Sequence, residues 1–595
     1  MKKLRLFMLA LLAAGGVNAQ YFQGAYGLPS NEVMESGFIT AMPRGKLMAG
    51  YSDFINPALS SVVVTRTNAA GAVAGVPTFN NGYVLFDAVT GTQLNAFVRR
   101  VIELMNGNLL VWGDYTDVLG GVPDKFFLME LTNAGAVIYI RSYSLPFPVL
   151  QVEGTSMVES ISIANNVFVS GWVRNSAGSY EPVAMSIAAA TGIPAWSWVY
   201  MDATNPGSDW TANDLEESPF PTPSGVPDIG LVGRYAATAG GIGDGAFFTV
   251  STTTGLPTNP VYRYGTAADE ESLNGITVAN NPLGSGPGFA VCGTAYNTLI
   301  LPASYSTWAM KLNPSGAIVN WTTLVDYSIA GSDDVGNDII ERVDSLGAFE
   351  YYVGGTATPG LFGGTDAITY KFNMGGGLIP NGQFTYGGPG NEDCRQVGKE
   401  IGPGPIGLSV FGNTNGSFAM APGANDFYAV KAYFNGITAC NFDVRNAPML
   451  GGPIKYDSIA ANAPNSFMTG KIIWQTFTLN FAYICGPVGA IAGGSNARHA
   501  AENGLAETTI TQVYPNPVDA SNAIVHISFG AGGASRAVEV ELWNTLGQLC
   551  LQQKISVAEG ETETQINLGS GLSSGIYHLV LRQNGEVTDY KISVQ

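Results

Sequence analysis

Histidine is scarce in this sequence, and its few copies lie near the C-terminus. The 595 residues contain three histidines, His499, His526 and His578. Residues 1–498 therefore cannot build a Ser-His-Asp or Cys-His catalytic site, because the general base of such a site is a histidine. They cannot build a histidine-ligated zinc or copper centre either. The main body of the chain thus lacks the commonest catalytic and metal-binding side chain.

Charged residues are also few, and positive charge is the scarcer sign. Only 12% of the residues are charged, and 27 Lys and Arg against 46 Asp and Glu leave a formal net charge of −19. A surface of this sign repels nucleic acid and anionic lipid, which excludes both as partners. The Gly-Gly pairs lie in turns between strands, so no P-loop or dinucleotide-binding fingerprint is present. No apolar run is long enough for a transmembrane helix, and we expect no transmembrane segment.

Cysteine is rare as well, and the five copies show no CxxC spacing. They are Cys292, Cys394, Cys440, Cys485 and Cys550. This spacing predicts neither a zinc site nor a redox motif. In an oxidising compartment one or two disulfides could form, and Cys440 and Cys485 are the nearest pair in the body. The alternative is that most of the five are buried as small hydrophobic residues.

The N-terminal residues have the pattern of a secretory signal peptide. Lys2, Lys3 and Arg5 precede an apolar run over 6–14, and Val17-Asn18-Ala19 is a cleavage site of small residues. The run is too short for a membrane span. We therefore predict a signal peptide over 1–19 and a mature chain that begins at Gln20.

The C-terminal end combines a proline-rich turn, short alternating strands and two further turn motifs. The characteristic residues are Tyr514, Pro515, Asn516, Pro517, Gly547, Gly575, Tyr577 and Lys591. Proline presets a turn dihedral and removes a ladder donor, which is typical of a turn beside an edge strand. In this order and at this end of the chain, the motifs resemble the C-terminal sorting domain of type IX secretion cargo (Por secretion, type A-like) in Gram-negative bacteria.

That resemblance covers about residues 508–595, and it has implications for fold and location. It implies a small Ig-like β-sandwich, which we place at 511–595. In the family this domain docks on the outer-membrane export and attachment machinery, and it is usually removed as the cargo is released or attached to the surface. The resemblance therefore implies an extracellular or cell-surface protein, exported across the inner and outer membranes, with the type IX machinery as its partner.

Between the two ends the sequence is built from repeats of similar length. A strand that ends in glycine recurs at nearly even spacing, at Gly50, Gly113, Gly171, Gly233, Gly293, Gly355 and Gly412. A second turn glycine follows at Gly135, Gly192, Gly255, Gly316, Gly376 and Gly436, and in the first repeat either Gly71 or Gly91 could take this place. An aspartate precedes the third strand at Asp124, Asp244, Asp366 and Asp426. Such self-similarity in strand-rich sequence predicts a β-propeller with one four-stranded blade per repeat.

The number of repeats predicts an all-β fold with seven blades, although six or eight are also compatible with the pattern. Residues 312–321 and the Tyr386-Gly387-Gly388 motif are similar to the bacterial seven-bladed propeller repeats known as SBBP, which implies a fold and a surface setting but no activity. We place the propeller at 20–485 and a linker at 486–510. The alternating run over 473–483 is predicted to be the late strand that completes the ring.

Carboxylates are grouped in the loops that link consecutive repeats. The groups are Asp209, Asp214, Glu216 and Glu217; Asp269, Glu270 and Glu271; Asp333, Asp334 and Asp338; and Glu392 and Asp393. Of these we consider Asp269, Glu270, Asp333, Asp334, Glu392 and Asp393 as candidate metal ligands. Oxygen-rich groups of this kind could bind Ca²⁺, which takes six to eight oxygen ligands. The alternatives are that these residues cap tight turns on a solvated face, or that a pair of them serves as acid and nucleophile in a glycosidase. No other cofactor is predicted.

Tryptophans provide a second kind of candidate site. Trp210 lies in an acidic loop beside Asp209, and together they could form a platform for a sugar ring with a carboxylate to accept its hydroxyl hydrogen bonds. The alternative for tryptophan in a propeller is packing between blades. We expect packing for Trp112, Trp172, Trp196, Trp198 and Trp321.

These observations predict a secreted or cell-surface propeller that acts as a non-catalytic binding or adhesion module. Its ligand, a glycan or a surface protein, would lie over the central channel or on one loop face. Two other classes stay open: a secreted carbohydrate-active enzyme that uses paired carboxylates, and a structural subunit of a surface layer or filament. A fold alone cannot choose among them.

Overall fold

The computed structural model describes residues 22–432 and parts of 442–594. The gaps before residue 432 are 28–30, 41–44, 70, 74–76, 88–89, 119–120, 203–204, 221–226, 266–268, 281–285, 298–302, 318, 327–331, 344–346, 361–363, 388–389, 400–406 and 416–424. Beyond it, the described residues are 442–445, 449–450, 455–459, 461–462, 468–478, 480–485, 510–514, 524–529, 536–544, 549–557, 563–568, 572, 575–583 and 586–594. The predicted signal peptide lies outside these residues. Two compact units divide the chain, Met1–Ala492 and Gly493–Gln595.

The described residues of the first unit form a seven-bladed β-propeller. Strand β1 (Phe22–Gly27) precedes the first blade. Blades one to three, each written from the innermost strand outward, are β2 (Glu32–Ile39), β3 (Lys46–Asn56), β4 (Leu59–Arg66), β5 (Phe79–Asp87); β6 (Asn95–Glu103), β7 (Leu109–Thr116), β8 (Lys125–Leu131), β9 (Val137–Ser144); β10 (Val149–Glu159), β11 (Asn166–Asn175), β12 (Tyr180–Ala188) and β13 (Ile193–Val199), which β14 (Met201–Asp202) follows. The innermost strands of neighbouring blades contact one another around the whole ring.

In blades four and seven the innermost strand is broken into two short pieces. Blades four to seven are β15 (Asp209–Trp210) with β16 (Asp214–Glu217), β17 (Asp228–Ala236), β18 (Gly243–Ser251), β19 (Val261–Gly265); β20 (Glu271–Ala279), β21 (Gly288–Asn297), β22 (Ser304–Leu312), β23 (Val319–Val325); β24 (Asp333–Val343), β25 (Phe349–Thr358), β26 (Asp366–Asn373), β27 (Leu378–Tyr386); β28 (Asn391–Glu392) with β29 (Gln396–Lys399), β30 (Leu408–Asn415) and β31 (Asn425–Ala432). The all-β propeller and its seven blades are therefore confirmed. No helix long and apolar enough to cross a membrane occurs in the described part of the chain.

The hydrophobic core is divided into seven layers, one between each pair of adjacent blades. Each layer is a separate cluster of buried side chains from two neighbouring sheets. Because a middle strand is covered on both faces, its sequence is almost continuously apolar rather than alternating. Every residue of β7 is buried, for example. Trp112, Trp196, Trp198 and Trp321 lie in or against these layers, as predicted. The rings of Trp112 and Phe126 stack at 5.2 Å, and Trp321 lies 5.5 Å from Tyr351. Trp172 is in none of the described layers and instead meets Tyr180 of its own blade edge-on at 5.0 Å.

Hydrogen bonds from the outer strands fasten neighbouring blades together. The hydroxyl of Tyr83 in blade one donates to the carbonyl of Gly135 in blade two at 2.7 Å, and Tyr143 reaches Gly192 in the same way at 2.7 Å. These acceptors are the predicted turn glycines, which adopt φ of +82° and +68° that other residues rarely take. In the first blade Gly71, with φ +80°, holds this place and accepts the Tyr26 hydroxyl at 2.7 Å. The repeated turn glycine therefore marks a hydrogen-bonded contact between blades as well as a turn.

The ring closes through its N-terminal strand. Strand β1 pairs with β31 as the fourth strand of the seventh blade, with Ala25 opposite Tyr428. The prediction that 473–483 completes the ring was wrong in this respect. Closure by β1 joins the two ends of the blade series within one sheet, and β1 covers the outer edge of β31.

The chain after the seventh blade runs back around the outside of the propeller. This segment, residues 442–485, is called the belt below, and its strands are β32 (Phe442–Arg445), β33 (Met449–Leu450), β34 (Lys455–Ile459), β35 (Ala461–Asn462), β36 (Met468–Thr478) and β37 (Asn480–Cys485). They pair in turn with β27, β23, β19, β14, then with both β9 and β5, and finally with β1. The belt therefore visits blades six, five, four, three, two, one and seven in that order.

The length of the belt matches this path. Its paired segments begin at residues 442, 449, 455, 461, 468, 472 and 480. Each paired segment begins a few residues after the start of the one before it, which corresponds to ~20 Å of extended strand. By pairing with the outermost strand of six blades and with β14 beside the third, the belt covers backbone groups that would otherwise form sheet edges.

The second unit contains two antiparallel sheets. Its strands are β38 (Ile510–Tyr514), β39 (Ile524–Phe529), β40 (Arg536–Asn544), β41 (Leu549–Val557), β42 (Glu563–Asn567), β43 (Gly575–Gln583) and β44 (Glu586–Val594). The sheet orders are β38-β39-β42 and β41-β40-β43-β44. Side chains from both sheets, such as Ile527 and Leu579, belong to one hydrophobic cluster.

Candidate functional site

The innermost strands carry an extra residue at a fixed place. In blades one, two, three, five and six the pairing of the first two strands shifts by one residue, which leaves Glu35, Arg99, Thr155, Asn274 and Asn337 unpaired in β-bulges. In blades four and seven the break in the strand puts Asn213 and Arg395 at the equivalent place. A bulge re-aims the side chain and bends the strand. A ring of seven bulge residues therefore surrounds the central channel.

The repeated glycines are what allows the bulged strand to approach. A β-carbon on Gly412 would lie 1.8 Å from the carbonyl oxygen of Asp393, and one on Gly293 would lie 1.9 Å from that of Ser272. The other five glycines of the series face the same conflict, at 1.9 to 2.4 Å from a carbonyl oxygen of the inner strand. Any other residue would push the inner strand away. The regular glycine repeat thus marks the bulges that build the channel.

Three of the bulge residues hold neighbouring blades together. The side-chain amides of Asn213, Asn274 and Asn337 each donate to a main-chain carbonyl of the next inner strand, at 2.9, 2.9 and 2.7 Å. The residue after the bulge also joins neighbouring blades, since Asp214 accepts from the backbone of Ile276 at 3.0 Å. In blades four to six the bulge residues are therefore structural.

The bulge residues of blades seven, one and two are charged, and they form a different kind of group. The group, called the channel cluster, consists of Glu35, Arg99, Asp114, Glu153, Asp393 and Arg395. Arg99 donates to Asp114 from Nε at 2.8 Å and from Nη2 at 3.4 Å. Arg395 donates from Nε to Asp393 at 3.0 Å. Each arginine is thus fixed by one aspartate.

The two glutamates of the channel cluster are held less closely. Glu35 lies 3.8 Å from Arg99 Nη1 and 3.9 Å from Arg395 Nη1, and Glu153 lies 3.8 Å from Arg99 Nη2. These separations exceed hydrogen-bond length. Burial raises the pKa of Glu35 more than Arg395 and Arg99 lower it. Burial likewise raises the pKa of Glu153 to about 7, against the effect of Arg99.

A polar pocket adjoins the channel cluster. This pocket, called the rim pocket, has a volume of about 300 Å³. It is lined by Val33, Thr365, Asn391, Asp393, Arg395, Asn413, Asn415 and Asn425. Its base is preorganised, because the Asn413 backbone donates to Asp393 Oδ1 at 2.6 Å and the Asn413 amide also bonds both Asp393 oxygens and the Met34 carbonyl. Arg395 belongs to both the pocket and the channel cluster, and its side chain is 42% exposed.

A second acidic group lies on the inner strands of blades four and six. Arg100 Nη2 is 3.9 Å from Asp214 Oδ1. Burial, with the neighbouring Asp214, raises the pKa of Glu216 to about 8. Burial also raises the pKa of Asp338 to about 7. Glu216 is half-buried. Because their pKa values are raised, Glu216 and Asp338 keep a proton to higher pH than ordinary carboxyl groups do.

The structure places Trp210 and Asp209 in the interior. Trp210 is 2% exposed, and its ring meets that of Phe248 edge-on at 4.6 Å. Asp209 accepts from the backbone of Tyr180 at 3.1 Å and of Gly240 at 2.5 Å. The expected exposed platform is not formed, because the ring fills the layer between blades three and four.

The predicted metal ligands are separated by the blades that carry them. Glu270 bonds Arg234 and accepts from the backbone of Gly243 at 2.9 Å, and Asp333 accepts from the backbone of Tyr305 at 3.0 Å. Asp269 is half-buried, whereas Asp334 and Glu392 are fully buried. Of the six, only Asp393 belongs to the channel cluster. Within the described residues, no three acidic, histidine or cysteine side chains come together as a metal site would require.

The predicted sorting residues lie in the second unit, where they are described. Tyr514 ends β38, Gly575 begins β43, and Lys591 pairs with His578 across β43 and β44. Tyr577 is buried at 7% exposure. Pro515, Asn516, Pro517 and Gly547 lie outside the described residues, as does Cys440. Cys292 and Cys394 are buried free thiols.

Sequence reasoning missed Glu35, Arg99, Glu153 and Arg395. The stretch of chain from a bulge residue to its blade's glycine is short between Arg99 and Gly113 and longer between Asn213 and Gly233, because the first hairpin loop varies in length. A fixed offset could not have found them. The available signal was the run of inner-strand residues before each glycine, in which a charged side chain replaces the asparagine of blades four to six.

Comparison with solved structures returns low similarity throughout. PorZ, described as an essential bacterial surface component of the type-IX secretion system of Porphyromonas gingivalis, matches 96% of this chain and 99% of its own at 10% identity, with a TM-score of 0.16. Dimeric latent PorU of the same organism matches 62% of this chain and 31% of its own at 10% identity and 0.13, and a tetra-tandem repeat of a large adhesion protein matches 90% and 96% at 10% identity and 0.13. A search of the curated proteins finds no match.

One comparison bears on the second unit directly. The family model described as the secretion system C-terminal sorting domain matches residues 512–595. These are the residues whose motifs predicted a sorting tail, and their strands β39 to β44 form the cluster of buried side chains described above. The tail implies export to the cell surface or the extracellular space and interaction with type IX secretion machinery. Residues 512–595 of this chain belong to the secretion system C-terminal sorting domain family.

Proposed function

We propose that the chain is a secreted or cell-surface propeller that binds a glycan at the mouth of its central channel, without catalysis. The observation that carries the proposal is the meeting of the channel cluster with the rim pocket, which Arg395 joins. A ligand site is expected to be concave and to hold a few convergent polar groups. Five blades contribute here to one concave polar surface, whereas the bulge residues of blades four to six bond the neighbouring blade.

The chemistry of the rim pocket supports a sugar over an apolar ligand. Four asparagines, a threonine, an aspartate and an arginine line it, and Val33 is its one aliphatic side chain. Amide groups donate to and accept from hydroxyls, and carboxylates accept from them; hydroxyls are the groups that a sugar presents in fixed directions. The Asp393–Asn413 network holds the lining in place before the ligand arrives, which reduces the conformational entropy lost on binding.

The test is binding of the purified mature chain to a broad glycan panel, with Ca²⁺ and with EDTA. We expect retention of a glycan without product, and loss of retention in Arg395→Gln. Arg174→Gln is the matched control, since Arg174 bonds the Gly178 carbonyl within its own hairpin. No retention across the panel would contradict the proposal. Loss of retention in EDTA would show that a divalent cation takes part in binding.

A carbohydrate-active enzyme is the second candidate, and one observation favours it. Glu35 and Glu153 lie on the two sides of Arg99, and the pKa of Glu153 is raised to about 7. A carboxyl that is protonated near neutral pH beside a second carboxylate is the pair that glycoside hydrolysis uses. Release of reducing sugar by the wild-type chain, abolished in Glu153→Gln, would replace binding with catalysis as the function.

For the ends of the chain, we propose a signal peptide over 1–19 and an Ig-like sandwich of the two C-terminal sheets that directs export through the type IX machinery. The family match over 512–595 supports the second part. Deletion of 511–595 should leave the protein in the periplasm, detectable by fractionation. Finding the truncated chain on the cell surface or in the medium would refute this proposal.

A further inference from the structure

We propose that the site at the channel mouth takes a sugar that carries a free, positively charged amino group. The ammonium would bond the carboxylates of Glu35 and Glu153, and the sugar hydroxyls would lie in the rim pocket. This inference rests on the proposed glycan binding and names the class of glycan. It follows from the charge balance, the hydrogen-bond state of each carboxylate, and the contents of the pocket.

The channel cluster is negatively charged when its carboxyl groups are ionised. Four carboxylates, from Glu35, Asp114, Glu153 and Asp393, face two guanidiniums, from Arg99 and Arg395. Burial lowers the pKa of Arg99, but the carboxylates of Asp114 and Glu153 together raise it by more, so it stays charged. An added cation would bring the cluster closer to neutrality. The formal charge of −19 over the chain also favours the approach of cations over anions.

The hydrogen bonds show which carboxylates are available to a ligand. Asp114 is fully buried and takes both Arg99 and the backbone of Gly154, the latter at 3.1 Å. Asp393 is occupied by Arg395 and Asn413. The carboxylates of Glu35 and Glu153, in contrast, have no hydrogen-bond donor among the described residues. Their side chains are 15% and 31% exposed, so a ligand can reach them.

An ammonium suits these two acceptors better than an anion suits the arginines. A carboxylate that lacks a donor and is largely removed from water gains most from a charged N–H. Each guanidinium already bonds an aspartate, and an anionic ligand would have to compete with that carboxylate. Three facing groups besides Arg99 act on Glu153, namely Asp114, Glu35 and Arg395. Two of those three are acidic, which strengthens the preference for a cation.

The rim pocket offers hydrogen-bonding groups to the hydroxyls of an amino sugar. The side-chain amides of Asn391 and Asn425, the Nδ2 of Asn415 and the hydroxyl of Thr365 line it, and none of these groups bonds another described residue. They are open to hydroxyls on either side of the ring. A lysine-bearing peptide would instead need an open strand edge or an apolar anchor pocket, and the described pocket offers Val33 alone as aliphatic surface.

The experiment is calorimetric titration of the mature chain at pH 6.5 with glucosamine tetramer and with its fully N-acetylated counterpart. Acetylation removes the charge and keeps the sugar ring. We expect the free amine to bind about tenfold or more tightly, since one charge-assisted hydrogen bond is worth roughly 1.5–3 kcal/mol. Glu35→Gln and Glu153→Gln should each reduce the preference to about threefold or less. Asp117→Asn, an exposed acid paired with Lys125, should leave it unchanged.

Each other outcome has a distinct meaning. Equal binding of the two tetramers, or a preference that survives both glutamine variants, would overturn this inference and leave glycan binding intact. Trilysine that binds more tightly than glucosamine tetramer would assign the ammonium to a protein and overturn the sugar. If neither tetramer nor any other panel glycan binds, the proposed function itself fails. Far-ultraviolet circular dichroism and melting temperatures confirm that each variant is folded.

Discussion

Gly412 lies against the main-chain carbonyl of Asp393, where a β-carbon would be 1.8 Å from the oxygen. The contact lies inside blade seven, and it is repeated in all seven blades with the corresponding glycine and carbonyl. It lets the innermost strand break or bulge without losing its place in the sheet. The same glycine therefore supports both the fold and the placement of Arg395 beside the rim pocket.

The first prediction concerns this contact. In Gly412→Ala the methyl group pushes the inner strand away from β30, and we expect a loss of about 3 kcal/mol in the free energy of unfolding, at the upper end for overpacked sites. Urea denaturation of the mature chain measures it. Gly207→Ala is the control, since no atom lies within 4 Å of a β-carbon there, and it should stay within about 0.5 kcal/mol of the wild type. Equal stabilities for the two variants would refute the role given to Gly412.

The glycine series also shows how far the sequence could predict the fold. Gly412 and its counterparts recur at nearly even spacing and indicate the blade number, because each blade needs the same close contact. Ring closure was not predictable in this way, since β1 has no glycine of the series. Tyr26 pairs with Phe427 at the far end of the blade series, and no local pattern records that pairing. In the belt, the run over 473–483 was predicted to be a strand, but the four strands before it were not identified, because each pairs over a short length only.

The candidate site shows the same limit. Asp393 was identified because acidic loops are visible in sequence, but its partners Arg395 and Asn413 were not. Glu35 reaches Arg99 and Arg395 only because the ring brings blades seven, one and two together. Trp210 was misjudged for the converse reason. Its acidic neighbour Asp209 suggested exposure, whereas both side chains point into the protein. Asp209 accepts from the backbone of Tyr180, and Trp210 packs against Phe248.

The second prediction concerns Arg99 and Asp114. Arg99→Gln leaves the fully buried Asp114 without its cation. Burial already raises the pKa of Asp114, and the loss of Arg99 would raise it further. An acid whose folded pKa is raised binds its proton more tightly when folded, so stability falls as pH rises. We expect a loss of about 3–5 kcal/mol at pH 8 and a smaller loss at pH 5. Urea midpoints at both values measure this, and equal losses would contradict it.

The third prediction is the pH dependence of the whole propeller. The pKa values of Glu153, Glu216 and Asp338 are raised by burial to about 7, 8 and 7. Between the ordinary carboxyl pKa and these values the folded chain binds more protons than the unfolded one, so its stability must fall as pH rises. We expect a lower melting temperature at pH 8.5 than at pH 6. Glu216→Gln should raise the melting temperature at pH 8.5 and change it little at pH 6. A wild-type melting temperature that rises over this range would refute the prediction.

The fourth prediction concerns the belt. Ile473 and Gln475 of β36 pair with Phe86 and Val84 of β5, so the outer side of β5 is a shared ladder rather than an edge. Replacement of 442–485 by a Gly-Ser segment of equal length should expose the outer strands of the ring, and exposed strand edges promote association between molecules. Hydrogen exchange should then quicken in alternate amides of β5 and β9, whereas β3 and β7, each covered by strands on both sides, should keep their protection. Size-exclusion chromatography should show oligomers at concentrations where the intact chain is monomeric. If β5 exchanges as fast in the intact chain as in the replacement, the belt does not protect the edges, and the seven blades must be stable with their outer strands open.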